Sequence, residues 1–123
     1  KQIFMTVPQV AHRLAELCKQ GDFQTAQKEL FADDAISIEP QDTPGFEKET
    51  RGLKAILEKG KQFEAMVEAF HGAGASDPLV AGNAIALSIN MDVTMKGKER
   101  SVMSEVCVYE VKDGKIISER FFW

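Results

Sequence analysis

Apolar residues in the first third of the chain recur every three or four positions. In PQVAHRLAELCK, residues 8–19, Val10, Leu14, Leu17 and Cys18 fall on one stripe, and Pro8 suits a first helical turn, where its missing N–H is not needed. Gly21 can close that helix in the left-handed conformation. Asp22 can then cap a second helix whose apolar face holds Phe23, Ala26, Leu30 and Phe31. After Asp33 and Asp34 the period changes to two, so AISIE, residues 35–39, reads as a short strand closed by Pro40. The polar, Pro- and Gly-containing QDTPGFEKETRG, residues 41–52, reads as a loop able to fold over the mouth of a binding site. Leu53, Ile56, Leu57, Phe63, Met66, Val67 and Phe70 return to helical spacing and predict a third helix over 53–70, with Gly60 its weak point.

Beyond residue 70 alternation takes over. HGAGASDPLVAGN predicts a strand and a turn, and AIALSINMDVTM sets Ile85, Leu87, Ile89, Met91, Val93 and Met95 on one face. Lys96-Gly97-Lys98 turns the chain into ERSVMSEVCVYEV, and Asp113-Gly114 is a strong hairpin signal leading into the final KIISERFFW. Three helices followed by an antiparallel meander make an α+β fold, and 123 residues suit a single domain spanning 1–123.

Composition narrows the functional classes. The net charge is −4 and basic residues alternate with acidic ones, which provides no footprint for a nucleic acid backbone. No apolar run is long enough to cross a bilayer, and KQIFMTVPQV lacks the apolar stretch of a secretion signal, so a cytoplasmic location is expected. Cys18 and Cys107 are far apart without a neighbouring ligand residue; they read as buried thiols, and neither a metal site nor a cofactor is expected.

The candidate chemistry lies in carboxyl groups. Glu39 ends the first strand, facing either water or a pocket. Parity places Met103, Glu105, Cys107 and Tyr109 on one face of the penultimate strand, and Ile117, Glu119, Phe121 and Trp123 on one face of the last. Glu105 and Glu119 either point inward or form a solvent-facing ladder neutralised by Arg100 or Arg120. Tyr109 is either a ligand hydrogen-bond donor or a cross-strand packing residue. His71 is a candidate pocket residue from the sheet half, whereas His12 belongs to the first helix. If the acids all face inward, their repulsion calls for a shared proton, an arginine or a bound cation.

With the Gly21-Asp22 helix end, the FADDA run at 31–35, Glu39-Pro40 and the Asp113-Gly114-Lys115 hairpin, nearly the whole chain resembles the nuclear transport factor 2-like superfamily, in its polyketide-cyclase-like (SnoaL-like) and ketosteroid-isomerase-like branches. The resemblance implies a cone-shaped, strongly curved mixed sheet wrapped around N-terminal helices, as in cystatin-like folds, with a pocket at the open end and a homodimer formed through the sheet. It places Glu39 where the isomerase branch carries its proton-transferring acid before a proline, making Glu39 the candidate base. Leu14 stands where that branch has an oxyanion-binding tyrosine and Cys107 where it has a protonated aspartate, so both donors are missing. Glu119, Phe121 and Trp123 fall at pocket-lining places. The expectation is a protein that binds a small apolar or amphipathic molecule against Leu14, Glu105, Cys107, Tyr109, Glu119, Phe121, Trp123 and His71, with isomerase-, cyclase- or lyase-type proton transfer by Glu39. The alternative is a non-catalytic dimeric binding module.

Overall fold

A computed structural model describes residues 3–123. Helix α1, Val7–Lys19, starts at a capping box: Thr6 Oγ1 accepts from the Gln9 amide at 3.2 Å, and Gln9 Oε1 accepts from the Thr6 amide at 2.8 Å. It ends at Gly21, whose φ of 74° turns the chain so that the amides of Gly21 and Asp22 reach the last helical carbonyls. Helix α2, Phe23–Leu30, follows at once, but its Asp22 cap makes no side-chain hydrogen bond.

Strand β1 occupies Phe31–Ile38, four residues earlier than the AISIE pattern implies. Two partners hold it: β2, Glu49–Arg51, antiparallel on one side, and β7, Lys115–Phe122, parallel on the other. The pairing with β7 slips between Phe31 and Ile36, and this irregular stretch exposes Asp33 and Asp34, which hid the strand from an alternation search. The expected 41–52 loop contributes β2 as an edge strand.

Helix α3 spans Leu53–Ala65 and does not continue to Phe70. From Val67 the chain becomes β3, Val67–Ala75, which pairs with β5, Ala84–Met95, through contacts such as Phe70 opposite Val93. Val67 and Phe70 satisfy both helical and strand spacing, and sheet pairing decides between them. A short β4, Leu79–Ala81, also pairs with β5, and β6, Arg100–Lys112, completes the meander. The sheet runs β2-β1-β7-β6-β5-β3 and is curved, mixed and open.

The helices cover one face of this sheet. Leu14, Leu30, Ile56, Ile85 and Ile116 are fully buried between the layers, and each such side chain contributes about 1.5–3 kcal/mol of apolar burial. Cys18 and Cys107 are both buried and reduced. Val102, Val106 and Phe122 are exposed on the opposite face of the sheet. Among the described residues no helix is long and apolar enough to cross a membrane.

Candidate active site

Sheet register builds the site. Ser37 on β1 lies beside Glu119 on β7, and Glu119 lies opposite Tyr109 on β6, which lies opposite Ile85 on β5. In the next inward-facing row Phe121 lies opposite Cys107, and Cys107 opposite Leu87. Glu105 stands two residues before Cys107, on the same face. A bulge at Ile117, which has no partner between the Glu110–Ser118 and Val111–Ile116 pairs, lets Ile116 and Glu119 both be buried despite their opposite parity.

Over these rows lies an ion pair that links α3 to the end of β1. Lys59 Nζ donates to Glu39 Oε2 at 3.0 Å and to Ser37 Oγ at 2.8 Å. The two charged side chains are only 16% and 19% exposed, so this pair is shielded from the screening that weakens surface pairs. Trp123 Nε1 donates to the other Glu39 oxygen at 3.3 Å, and the Lys59 ammonium lies 5.6 Å from the centre of the Phe121 ring. Glu39 is therefore drawn inward and held by two donors.

Beneath this pair, Glu119 is 3% exposed and its Oε2 has no hydrogen-bond partner. Burial disfavours its charged form and pushes its pKa up to about 7, with Glu39 and Glu105 adding repulsion, while Ser37 and Lys59 pull the other way. Glu105 is likewise raised to about 7, first by burial and then by the charge of Glu39, with the Cys107 thiol and Lys59 opposing. Burial also drives the Cys18 thiol up to about 12 and holds Cys107 and Tyr109 in their neutral forms well above the ordinary range. The interior therefore holds two carboxyl groups that titrate near neutrality.

The structure brings together Glu39, Glu105, Cys107, Tyr109, Glu119, Phe121 and Trp123 of the residues singled out from sequence. Arg100 pairs with Asp92 on the outer side, and Arg120 is exposed, so a neutralised surface ladder does not account for Glu105 and Glu119. Leu14 is buried in the core among aliphatic side chains. Tyr109 is buried with its ring edge-on to Phe31, centroids 6.5 Å apart. His71 is exposed on the edge strand β3, with Nε2 2.9 Å from Thr94 Oγ1, and is not part of the cluster. Trp123 keeps its ring half outside at 56% exposure while its indole nitrogen reaches Glu39.

Two participants escaped the sequence reading. Lys59 lies three residues after Ile56 and four before Phe63, within the apolar stripe of α3, and a lysine inside an apolar stripe is the signal that could have found it. Ser37 shares the parity of buried Ala35 and inward Glu39. Two surface concavities lie elsewhere: about 650 Å³ beside Met5, His12 and Arg13, and about 850 Å³ within the 42–49 loop. Neither holds a buried acid. Among the described residues no group of His, Cys, Asp and Glu is arranged to hold a metal ion.

The model of the SnoaL-like domain family matches residues 5–123. A crystal structure from Mesorhizobium loti, described as a candidate SnoaL-like polyketide cyclase, is 38% identical with a TM-score of 0.88, over 97% of this chain and 100% of that one. A protein from Catenulispora acidiphila with a ketosteroid-isomerase-like fold, solved with trimethylamine, is 17% identical with a TM-score of 0.73, over 96% and 87% of the two chains. IdmH from Streptomyces antibioticus, a candidate polyketide cyclase, is 19% identical with a TM-score of 0.71, over 96% and 91%. The last two share the fold alone, and no curated protein matches the chain. The family match and the similarity to the M. loti protein agree over nearly the full length: the chain belongs to the SnoaL-like domain family.

Proposed function

We propose that the inner face of the sheet binds a small amphipathic molecule and moves a proton on it, with Glu39 as the base. The observation that carries this reading is the Lys59–Glu39 pair, a carboxylate and a cationic donor joined at 3.0 Å at the rim of an apolar interior. A base beside a carbonyl needs a group that stabilises the oxyanion as the C–H proton leaves. The tyrosine and aspartate donors expected from the isomerase branch are absent, since Leu14 and Cys107 are core residues. Lys59 supplies a positive donor from a different element. A preorganised donor of this kind is worth roughly 3 kcal/mol of barrier, and the base about two to four powers of ten in rate. In this mechanism Glu39 removes a proton next to a carbonyl and the Lys59 ammonium stabilises the enolate; return of the proton at another carbon gives an isomer, whereas attack of the enolate carbon on a second carbonyl of the same molecule closes a ring, the C=O π bond opening to an alkoxide that takes the proton from Glu39.

Trp123, the only tryptophan, reports on the site because its indole bonds to Glu39. A screen of small cyclic ketones and polyketide-like aromatics is expected to find compounds that change its fluorescence saturably and raise the melting temperature. If no compound does either, the binding reading is wrong. A purely binding role is the second reading, favoured because both Glu39 oxygens are already engaged by donors; compounds that bind wild type and Glu39→Gln equally, without turnover by either, would establish it.

A homodimer formed through the sheet belongs to the same proposal. Val102, Val106 and Phe122 are 63%, 47% and 51% exposed, with Val106 opposite Phe122, so the outer face carries adjoining apolar side chains that a second copy would cover.

A further inference from the structure

The proton transfer described above uses Glu39 and Lys59 and leaves two interior carboxyl groups without a task. Glu119 is 97% removed from solvent and keeps an unbonded oxygen, which is costly unless a donor arrives or the group holds a proton. Around it the sheet and helices place Ser37 from β1, Glu39 after it, Lys59 from α3, Tyr109, Cys107 and Glu105 from β6, and Cys18 from α1. Only Lys59 among these carries positive charge, against three carboxyl groups, and it is already committed to Glu39 and Ser37. Lys59 already balances Glu39, so Glu119 and Glu105 stay neutral only by holding protons, and either would need an added cation beside it to ionise. The aromatic lining suits such a cation: Phe121 already has an ammonium 5.6 Å from its ring centre, that of Lys59 itself. No metal-binding grouping occurs among the described residues, which favours an organic ammonium over a metal ion.

We infer that the small molecule bound by this interior carries a protonated amine on an apolar body, with the ammonium directed to the free oxygen of Glu119 and to Glu105, and the apolar part against Phe121 and Trp123. This rests on the reading that the inner face binds a small molecule, and it names the class. A proton consequence follows from the geometry. An ammonium placed beside Glu119 favours its ionised form, so binding near pH 7 releases a proton from the protein; a neutral hydroxyl or carbonyl ligand accepting a bond from the protonated acid would favour the opposite.

The test uses phenethylamine, phenethyl alcohol and phenylacetate, three probes of similar body and different charge, in isothermal titration calorimetry at pH 7 in two buffers of different ionisation enthalpy. Phenethylamine should bind at least about tenfold more tightly than the alcohol, the ratio expected for a charge-assisted hydrogen bond, with net proton release. Phenylacetate should bind most weakly. Glu119→Gln, which keeps the shape of the side chain, should abolish both the preference and the proton release while still binding the alcohol. Equal or tighter binding of the alcohol, or proton uptake with the amine, overturns the cation assignment and leaves the small-molecule reading standing. Absence of binding by all three probes overturns both.

Discussion

Glu119→Gln should remove a pH dependence of stability that the wild type carries. In the folded protein the Glu119 carboxyl has its pKa raised from 4.5 to about 7, chiefly by burial. Between these values the folded state holds a proton that the unfolded chain has released, so raising the pH favours unfolding. The contribution is fully present below pH 4.5 and is lost as pH rises through 7. At about 1.36 kcal/mol per tenfold change in proton activity, this span amounts to about 3 kcal/mol, a sizeable share of the roughly 5–15 kcal/mol that stabilises a domain. The neighbouring Glu105 titrates over the same window, so the two ionise as a coupled pair and the slope is spread over a broader range than one site would give. Urea denaturation of both proteins at half-unit steps from pH 4 to 8.5 (about 4.5 decades of proton activity) gives the difference directly, because the two proteins differ only at residue 119. The variant should be more stable than the wild type above pH 7, by up to about 3 kcal/mol relative to their difference at pH 4.5. Parallel profiles for the two proteins would refute the claim that Glu119 retains its proton in the fold.

Three further outcomes follow from other parts of the structure. Lys59→Met should lower stability by about 1–3 kcal/mol at pH 7 in chemical denaturation, because it leaves Glu39 inward-facing without its charge partner; an unchanged or raised stability would show that the pair contributes nothing. Gly114→Ala should destabilise by more than about 1 kcal/mol in thermal melts, since Gly114 has φ of 74° and an added Cβ would lie 2.9 Å from the Phe4 Cβ and 3.0 Å from the Met5 amide nitrogen; a neutral effect would mean the N-terminal segment is not packed on that hairpin. If the outer face pairs two copies, Val106→Lys should turn a dimer into a monomer in light scattering, whereas a wild type monomeric at high concentration would refute dimerisation.

Much of the fold was legible because its period was clean. Strand β5 alternates without interruption from Ile85 to Val93, and α1 carries one stripe with a proline at its start and a glycine after its end. Errors arose where two periods agree or a strand is irregular: Val67 and Phe70 fit helix and strand alike, and the exposed Asp33 and Asp34 interrupt β1. The site followed the same division. Parity put Glu105, Cys107 and Tyr109 on one face of their strand but left open whether that face is the inner one, which the packing of the helices decides, and family position made Glu39 a candidate. Lys59 was missed because it comes from a separate helix, and no spacing along the chain expresses a contact between residues 20 apart in sequence and 3.0 Å apart in space. His71 shows the converse, since its residue type suggested chemistry and its edge strand carries it outside the cluster.

The central claim is that Glu39 can act as a base because Lys59 stands ready for the charge that develops. It is tested most directly by following, by proton NMR in D2O, loss of the signal next to the carbonyl of a ketone shown to bind the site. The wild type should accelerate this exchange by about two to four powers of ten over Glu39→Gln at equal saturation, with Lys59→Met also slowed although it keeps the carboxylate. Exchange at the same rate in wild type and Glu39→Gln would contradict the account and leave a binding protein without proton chemistry.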